Sequence, residues 1–173
     1  MRVPDAIRTK RMVRRFDGRP LDPAHLEAIL DAGRHAGSSK NKQRWDFIVV
    51  DDRARLAALS KVGPFAGHVA GAGVAVALVT PDPSGPQGSL SITWDLGAAA
   101  ENMMLAAWAL GVGSCPATVY EPVLARELLG YPEARSCDYI LSFGYPADPD
   151  DLSRPPRAGG RRPLAELVHR DRW

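Results

Sequence analysis

Cysteine is scarce in this chain of 173 residues, which carries only Cys115 and Cys137. They form no C-x-x-C pair and share no metal-ligand spacing with the four histidines, which argues against a zinc cluster or a disulfide scaffold and reads both as small buried hydrophobes. Long apolar runs are missing too. No stretch approaches the roughly 20 residues that a membrane span needs, and "MRVPDAIRTK" lacks the apolar segment of a signal peptide, so no membrane association and a cytoplasmic location are expected. Lysine and arginine are absent between Lys61 and Arg126. The cations gather instead at the ends: seven basic side chains stand among the first nineteen residues against two acids, and "SRPPRAGGRRPLAELVHRDRW" is basic again. A net charge of only +2, with no recognition motif, weighs against nucleic acid as a partner and leaves a solvated fringe or two halves of one phosphate pocket.

What is present is enough for a core. With 45% hydrophobic and 24% charged residues, the chain is expected to form one domain over residues 1–173. "LDPAHLEAILDAGRHAG" reads as a helix capped by Asp22, opened by Pro23 and stopped by Gly37. "WDFIVVD" and "GVAVALVT" read as strands, with the short helix "RARLAALSKVG" between them and the exposed loop "PDPSGPQGS" after them. "TWDLGAAAENMMLAAWALGVGSC" is the most apolar helix, with Asp95 near its start, Gly111 at its end and only Glu101 and Asn102 breaking an apolar circumference. Such a helix must be covered all round, which points to a second subunit, with the central core helix of a monomer as the alternative. "SCPATV", the helix "EPVLARELLGY", the strand "CDYILSFGYP", a Pro- and Asp-rich linker and a helical turn "PLAELVH" complete an α/β or α+β alternation.

The common catalytic and nucleotide motifs fail. The G-x-G of "GAGVAV" precedes a strand and that of "GVGSC" follows a helix, whereas a dinucleotide fingerprint must follow a strand and open a helix. Neither a P-loop nor a G-x-S-x-G elbow is present, and Ser114 and Cys115 have no histidine in a context that makes it their base. His25 and His35 read as surface, His68 as loop, and His169 as terminal. What remains is a set of polar donors in four segments, "TKRMVRRF", "SSKNKQRW", "GVGSC" and "GGRRPLAEL". Arginines suit a phosphate, because the guanidinium fork bonds two oxygens at once, and amides and hydroxyls suit a planar heterocycle. FMN fits that description, as do other phosphorylated ligands.

In that order, "KRMVRRF", "GSSKNKQRW", "DLGAAAEN", "GVGSC" and "RRPLAEL" resemble the motifs of the FMN-dependent nitroreductase family over nearly the whole chain. The resemblance implies an α+β fold with a mixed sheet flanked by helices, an intertwined homodimer with FMN at the subunit interface, and hydride transfer from NADH or NADPH to a small-molecule acceptor such as a nitroaromatic or quinone. It implies that Lys10, Arg11 and Arg14, with Arg161 and Arg162, hold the phosphate and ribityl chain. Ser38, Ser39 and Asn41 would contact the partner subunit's flavin, on a loop shaped by Gln43 and Trp45, while Gly113 and Ser114 would flank the ring. No catalytic acid or base is implied, since FMN carries the chemistry. Met12 stands where the family often has serine, Gly37 and Arg44 replace prolines of the loop, and the lysine of many larger members near flavin N1 has no counterpart. Dehalogenation or flavin fragmentation, as in specialised members, and FMN storage or sensing without turnover are the alternatives.

Overall fold

The computed structural model of the chain describes residues 1–86, 88–155 and 160–173. Four strands, β1 (Asp46–Val50), β2 (Val74–Pro81), β3 (Gly113–Thr118) and β4 (Arg135–Gly144), form a sheet in the spatial order β1-β2-β4-β3, with every neighbouring pair antiparallel. The mixed character enters through a parallel bridge between Met12 and Ser114 at the outer edge of β3. Among the described residues, five α-helices accompany the strands: α1 (Val3–Thr9), α2 (Pro23–Arg34), α3 (Arg53–Leu59), α4 (Leu90–Ala109) and α5 (Pro122–Leu129). The result is an α+β architecture, one of the two the alternating pattern left open and the one the resemblance implies.

The sheet is covered on both faces because β2 is apolar on both. Side chains alternate along a strand, so Val74, Val76 and Leu78 join Ile29 of α2 and Leu96 and Met103 of α4 in one core, while Ala75, Ala77 and Val79 join Leu56 and Leu59 of α3 and Ala125 of α5 in another. Each large side chain so buried contributes about 1.5–3 kcal/mol relative to exposure.

Three local expectations need correction. The stop of α2 is not a left-handed glycine: His35 N bonds Asp31 O at 3.0 Å and Ala36 N bonds Gly33 O at 3.1 Å, and the positive-φ glycines among the described residues are Gly18, Gly111 and Gly130. Gly111, with φ 74°, does end α4 as expected. That helix begins earlier than its charge pattern indicated, capped by Ser89, so Asp95 lies in its second turn and is buried. "PLAELVH" supplies only a 3-10 turn, Leu164–Glu166, and every residue from 160 to 173 is exposed. Gly159, at the head of the closing basic motif, lies outside the described residues. No helix among them is long and apolar enough to cross a membrane.

Candidate functional site

The basic N-terminal segment reaches β3 directly. After α1 the chain crosses the sheet edge, where Val13 N donates to Ser114 O at 3.0 Å and Met12 bridges Ser114. Gly113 makes this crossing feasible, because a Cβ there would stand 2.7 Å from Val13 Cβ. The close approach at Gly113 is therefore to Val13, and Ser114 is buried beneath the same segment. Arg14, next along the chain, is exposed. Lys10 is not: its side chain is 10% exposed and its Nζ donates to Glu101 Oε2 at 2.7 Å. Arg11 turns back over the end of α1, where Nη1 donates to Thr9 O at 2.7 Å and Lys10 O at 3.0 Å, satisfying carbonyls left open by the helix terminus. Trp108 Nε1 fixes the same corner by donating to Thr9 Oγ1 at 2.9 Å.

The polar loop is held against α4. Ser39 N donates to buried Asp95 Oδ2 at 3.0 Å, Arg44 Nη2 donates to Ser91 Oγ at 2.6 Å, and Gln43 N donates to Ser38 Oγ at 3.0 Å. Between these ties, Lys40, Asn41 and Gln43 adopt left-handed φ values of 53°, 53° and 46°, a costly conformation for residues other than glycine. Gln43 Nε2 also donates to Asn41 Oδ1 at 3.0 Å, so Gln43 does shape the loop, and Trp45 anchors it by packing against the α2–α4 core. The Ser38 and Ser39 hydroxyls and the Asn41 amide remain on or near the surface.

His68 is not a free loop residue. It lies in a 3-10 turn, Gly67–Gly71, with Nδ1 2.8 Å from Ser142 Oγ, which in turn donates to Cys115 O at 3.1 Å. The serine has one proton and gives it to the carbonyl, so Nδ1 carries the hydrogen of that contact. Burial, helped by the positive charge of Arg14, pushes the His68 pKa below its usual value; burial pushes the Cys115 thiol up, and Cys137 up to about 12. Neither thiol is an available nucleophile. No group of metal-ligating side chains occurs among the described residues. Arg161 and Arg162 belong to the exposed tail, where Arg162 Nε pairs with Glu166 Oε2 at 3.3 Å. Within one protomer the crossing segment thus brings Arg14 next to the Gly113–Ser114 edge of the sheet, while Lys10 and the polar loop are tied to α4 and Arg162 pairs within the tail.

The nitroreductase family model matches residues 7–66 and 65–145, which include the crossing segment, the loop, α4 and β3. The chain belongs to the nitroreductase family. A relative from Archaeoglobus fulgidus, provisionally named NADH dehydrogenase/NAD(P)H nitroreductase, is 36% identical, with 96% of each chain covered. The structure of a similarly named protein from Bacteroides thetaiotaomicron superimposes with a TM-score of 0.85 at 25% identity, covering 99% of this chain and 98% of that one. An FMN-dependent nitroreductase from Clostridium difficile shares the fold, with a TM-score of 0.80 at 24% identity, covering 98% of this chain and 99% of that one.

The donor set of this nitroreductase fits FMN chemically: the exposed guanidinium of Arg14 and the mostly buried ammonium of Lys10, four residues before it, suit a phosphate, and the loop hydroxyls and amide suit a heterocycle edge. By local pattern alone, Glu101 is only an interruption of an apolar helix, Asp95 a helix-start residue and His68 a loop histidine. Each is engaged through a contact far away in sequence, for which local pattern carries no signal.

Proposed function

We propose that this nitroreductase-family protein is an FMN-dependent oxidoreductase, working as a cytoplasmic homodimer, that passes hydride from NADH or NADPH to an electron-poor small molecule such as a nitroaromatic or quinone. The observation that carries this reading is the Met12–Ser114 bridge, which brings the basic "KRMVRRF" segment alongside the "GVGSC" strand from the opposite half of the chain. When bound, FMN supplies the hydride chemistry. Arg14 and Lys10, with Arg161 and Arg162 from the tail, hold its phosphate and ribityl chain. Arg11 supports them by closing the end of α1. The Ser38 and Ser39 hydroxyls and Asn41 edge the flavin bound mainly by the other protomer. The names of the relatives and the FMN dependence of the C. difficile neighbour support the assignment of donor and cofactor.

The homodimer is supported by what one protomer leaves uncovered. Along α4, Leu90 is 95% and Trp94 81% exposed, and Ile7 of α1 is exposed as well. An open groove of about 660 Å³ between α2 and β1, lined by Leu26, Leu30, Trp45 and Phe47 together with Glu27, Asp31 and Arg34, matches the apolar character of an exposed tail carrying Leu164, Leu167 and Trp173. The tail of a second copy is the occupant of that groove. The deciding experiment is the visible spectrum of the purified protein, followed by NADH and NADPH additions without oxygen. Flavin bands that bleach establish the reductase and its donor; a colourless protein that FMN cannot reconstitute sinks it. Bound flavin that neither nucleotide reduces would favour storage or sensing.

A further inference from the structure

We propose that Arg44 and Asp95 form a clamp that fixes the 38–43 loop in its ligand-facing shape, doing through contacts to α4 what the family's proline at that place does through its ring. The inference rests on the reading of this loop as a flavin edge. A loop with three left-handed side-chain-bearing residues persists only where its surroundings over-determine it. The surroundings here come from one stretch of α4. Asp95, its side chain 6% exposed, accepts from Ser39 N at the head of the loop, while Arg44 at the foot donates to Ser91 Oγ and lies 3.9 Å from the same Asp95 carboxylate. Ser91 is oriented in turn by Ser89 Oγ at 2.9 Å. Head and foot are therefore tied to a single carboxylate, and the residues between them have little freedom.

The clamp also carries a cost that stability alone would not favour: Arg44 Nε is buried without a hydrogen-bond partner among the described residues. Replacing arginine removes that unpaired donor along with the tie. A proline at 44 offers a second route to the same shape, since it fixes φ without needing a partner. Lysine does not, because its strongly hydrated ammonium on a flexible stem is costly to hold at a site where the Arg44 side chain is only 18% exposed.

The test compares wild type with Arg44→Ala, Arg44→Lys and Arg44→Pro by FMN fluorescence quenching and by amide hydrogen exchange of residues 38–43 in the FMN-free protein. Loss of preorganisation is expected to weaken FMN binding about tenfold in the alanine and lysine variants, with proline restoring it to within about threefold of wild type. Exchange of the Ser39 and Gln43 amides is expected to speed up in the alanine and lysine variants and not in the proline variant. Alanine behaving like wild type in both measurements overturns the clamp, and so does lysine restoring both wherever alanine fails, since arginine would then act by its charge alone. If wild type binds no FMN, the cofactor reading falls, and exchange in the three variants alone decides the clamp.

Discussion

A methyl group at position 113 would have to share space with Val13, whose Cβ and Cγ1 lie 2.7 and 2.8 Å from the place it would take. Neither atom is the end of a flexible chain, so the crossing segment itself must move. Gly113→Ala is expected to cost about 1–3 kcal/mol in urea unfolding, the range for overpacking a filled site, and to weaken FMN binding because Arg14 moves with Val13. His68 gives a second residue-scale expectation. Burial and the Arg14 charge lower its pKa below the ordinary 6.5, so the unfolded chain binds a proton more readily than the folded one. The contribution of His68 to stability is full above that ordinary value and is lost as pH falls from there toward the lowered folded value. Unfolding free energy measured between pH 7.5 and 5 should therefore fall with acidification, and His68→Gln should flatten the slope in that window. An unchanged slope would place the titration elsewhere.

At the scale of elements, one mostly buried ammonium joins Trp108 in tying the end of α1 to α4. Lys10 is 10% exposed, and its partner Glu101, on an otherwise apolar helix, is 46% exposed. Because water screens the carboxylate, Glu101→Gln is expected to cost only about 1 kcal/mol in the FMN-free protein. Saturating FMN should shrink that cost in a paired thermal melt, since its phosphate gives Lys10 a second anionic partner; an equal loss with and without FMN would show that Lys10 does not face the phosphate. The same pair marks the limit of what local pattern discloses. α2 was legible because Asp22 and Pro23 act on their own first turn, with Asp22 Oδ1 accepting from Ala24 N at 2.8 Å, and β2 was legible because its apolar run is continuous. The candidate site was legible only through motif resemblance. Lys10 with Glu101, Ser39 with Asp95 and His68 with Ser142 are pairings between distant segments, and a single sequence carries no signal for which helix turn meets which loop. The start of α4 differs for a related reason: Asp95 is a good helix-end residue by type, but Ser89 caps the helix and Asp95, in its second turn, is partnered by Ser39 N.

For the whole molecule, the decisive question is what covers the outer face of α4. Two-fold association presents the same face twice, so a substitution there acts on both halves of the interface at once. Trp94 is 81% exposed in one protomer and lies one turn from Leu90 on the same face, as expected of an aromatic anchor awaiting its partner. Truncating such an anchor costs about 2–4 kcal/mol, and symmetry doubles it, so Trp94→Glu should weaken dimerisation by roughly a thousandfold or more. In sedimentation at micromolar concentration the variant is expected to show the mass of one chain where wild type shows two. FMN should leave with the partner on the proposed reading, in which Ser38, Ser39 and Asn41 edge the flavin held by the other protomer. Val123→Glu is the control: Val123 is 67% exposed on α5, away from α4, and its replacement should alter neither mass nor flavin content. A Trp94→Glu protein that keeps both its dimeric mass and its FMN would place the subunit interface on another surface. Loss of FMN from a protein that remains dimeric would instead confine the role of Trp94 to the cofactor.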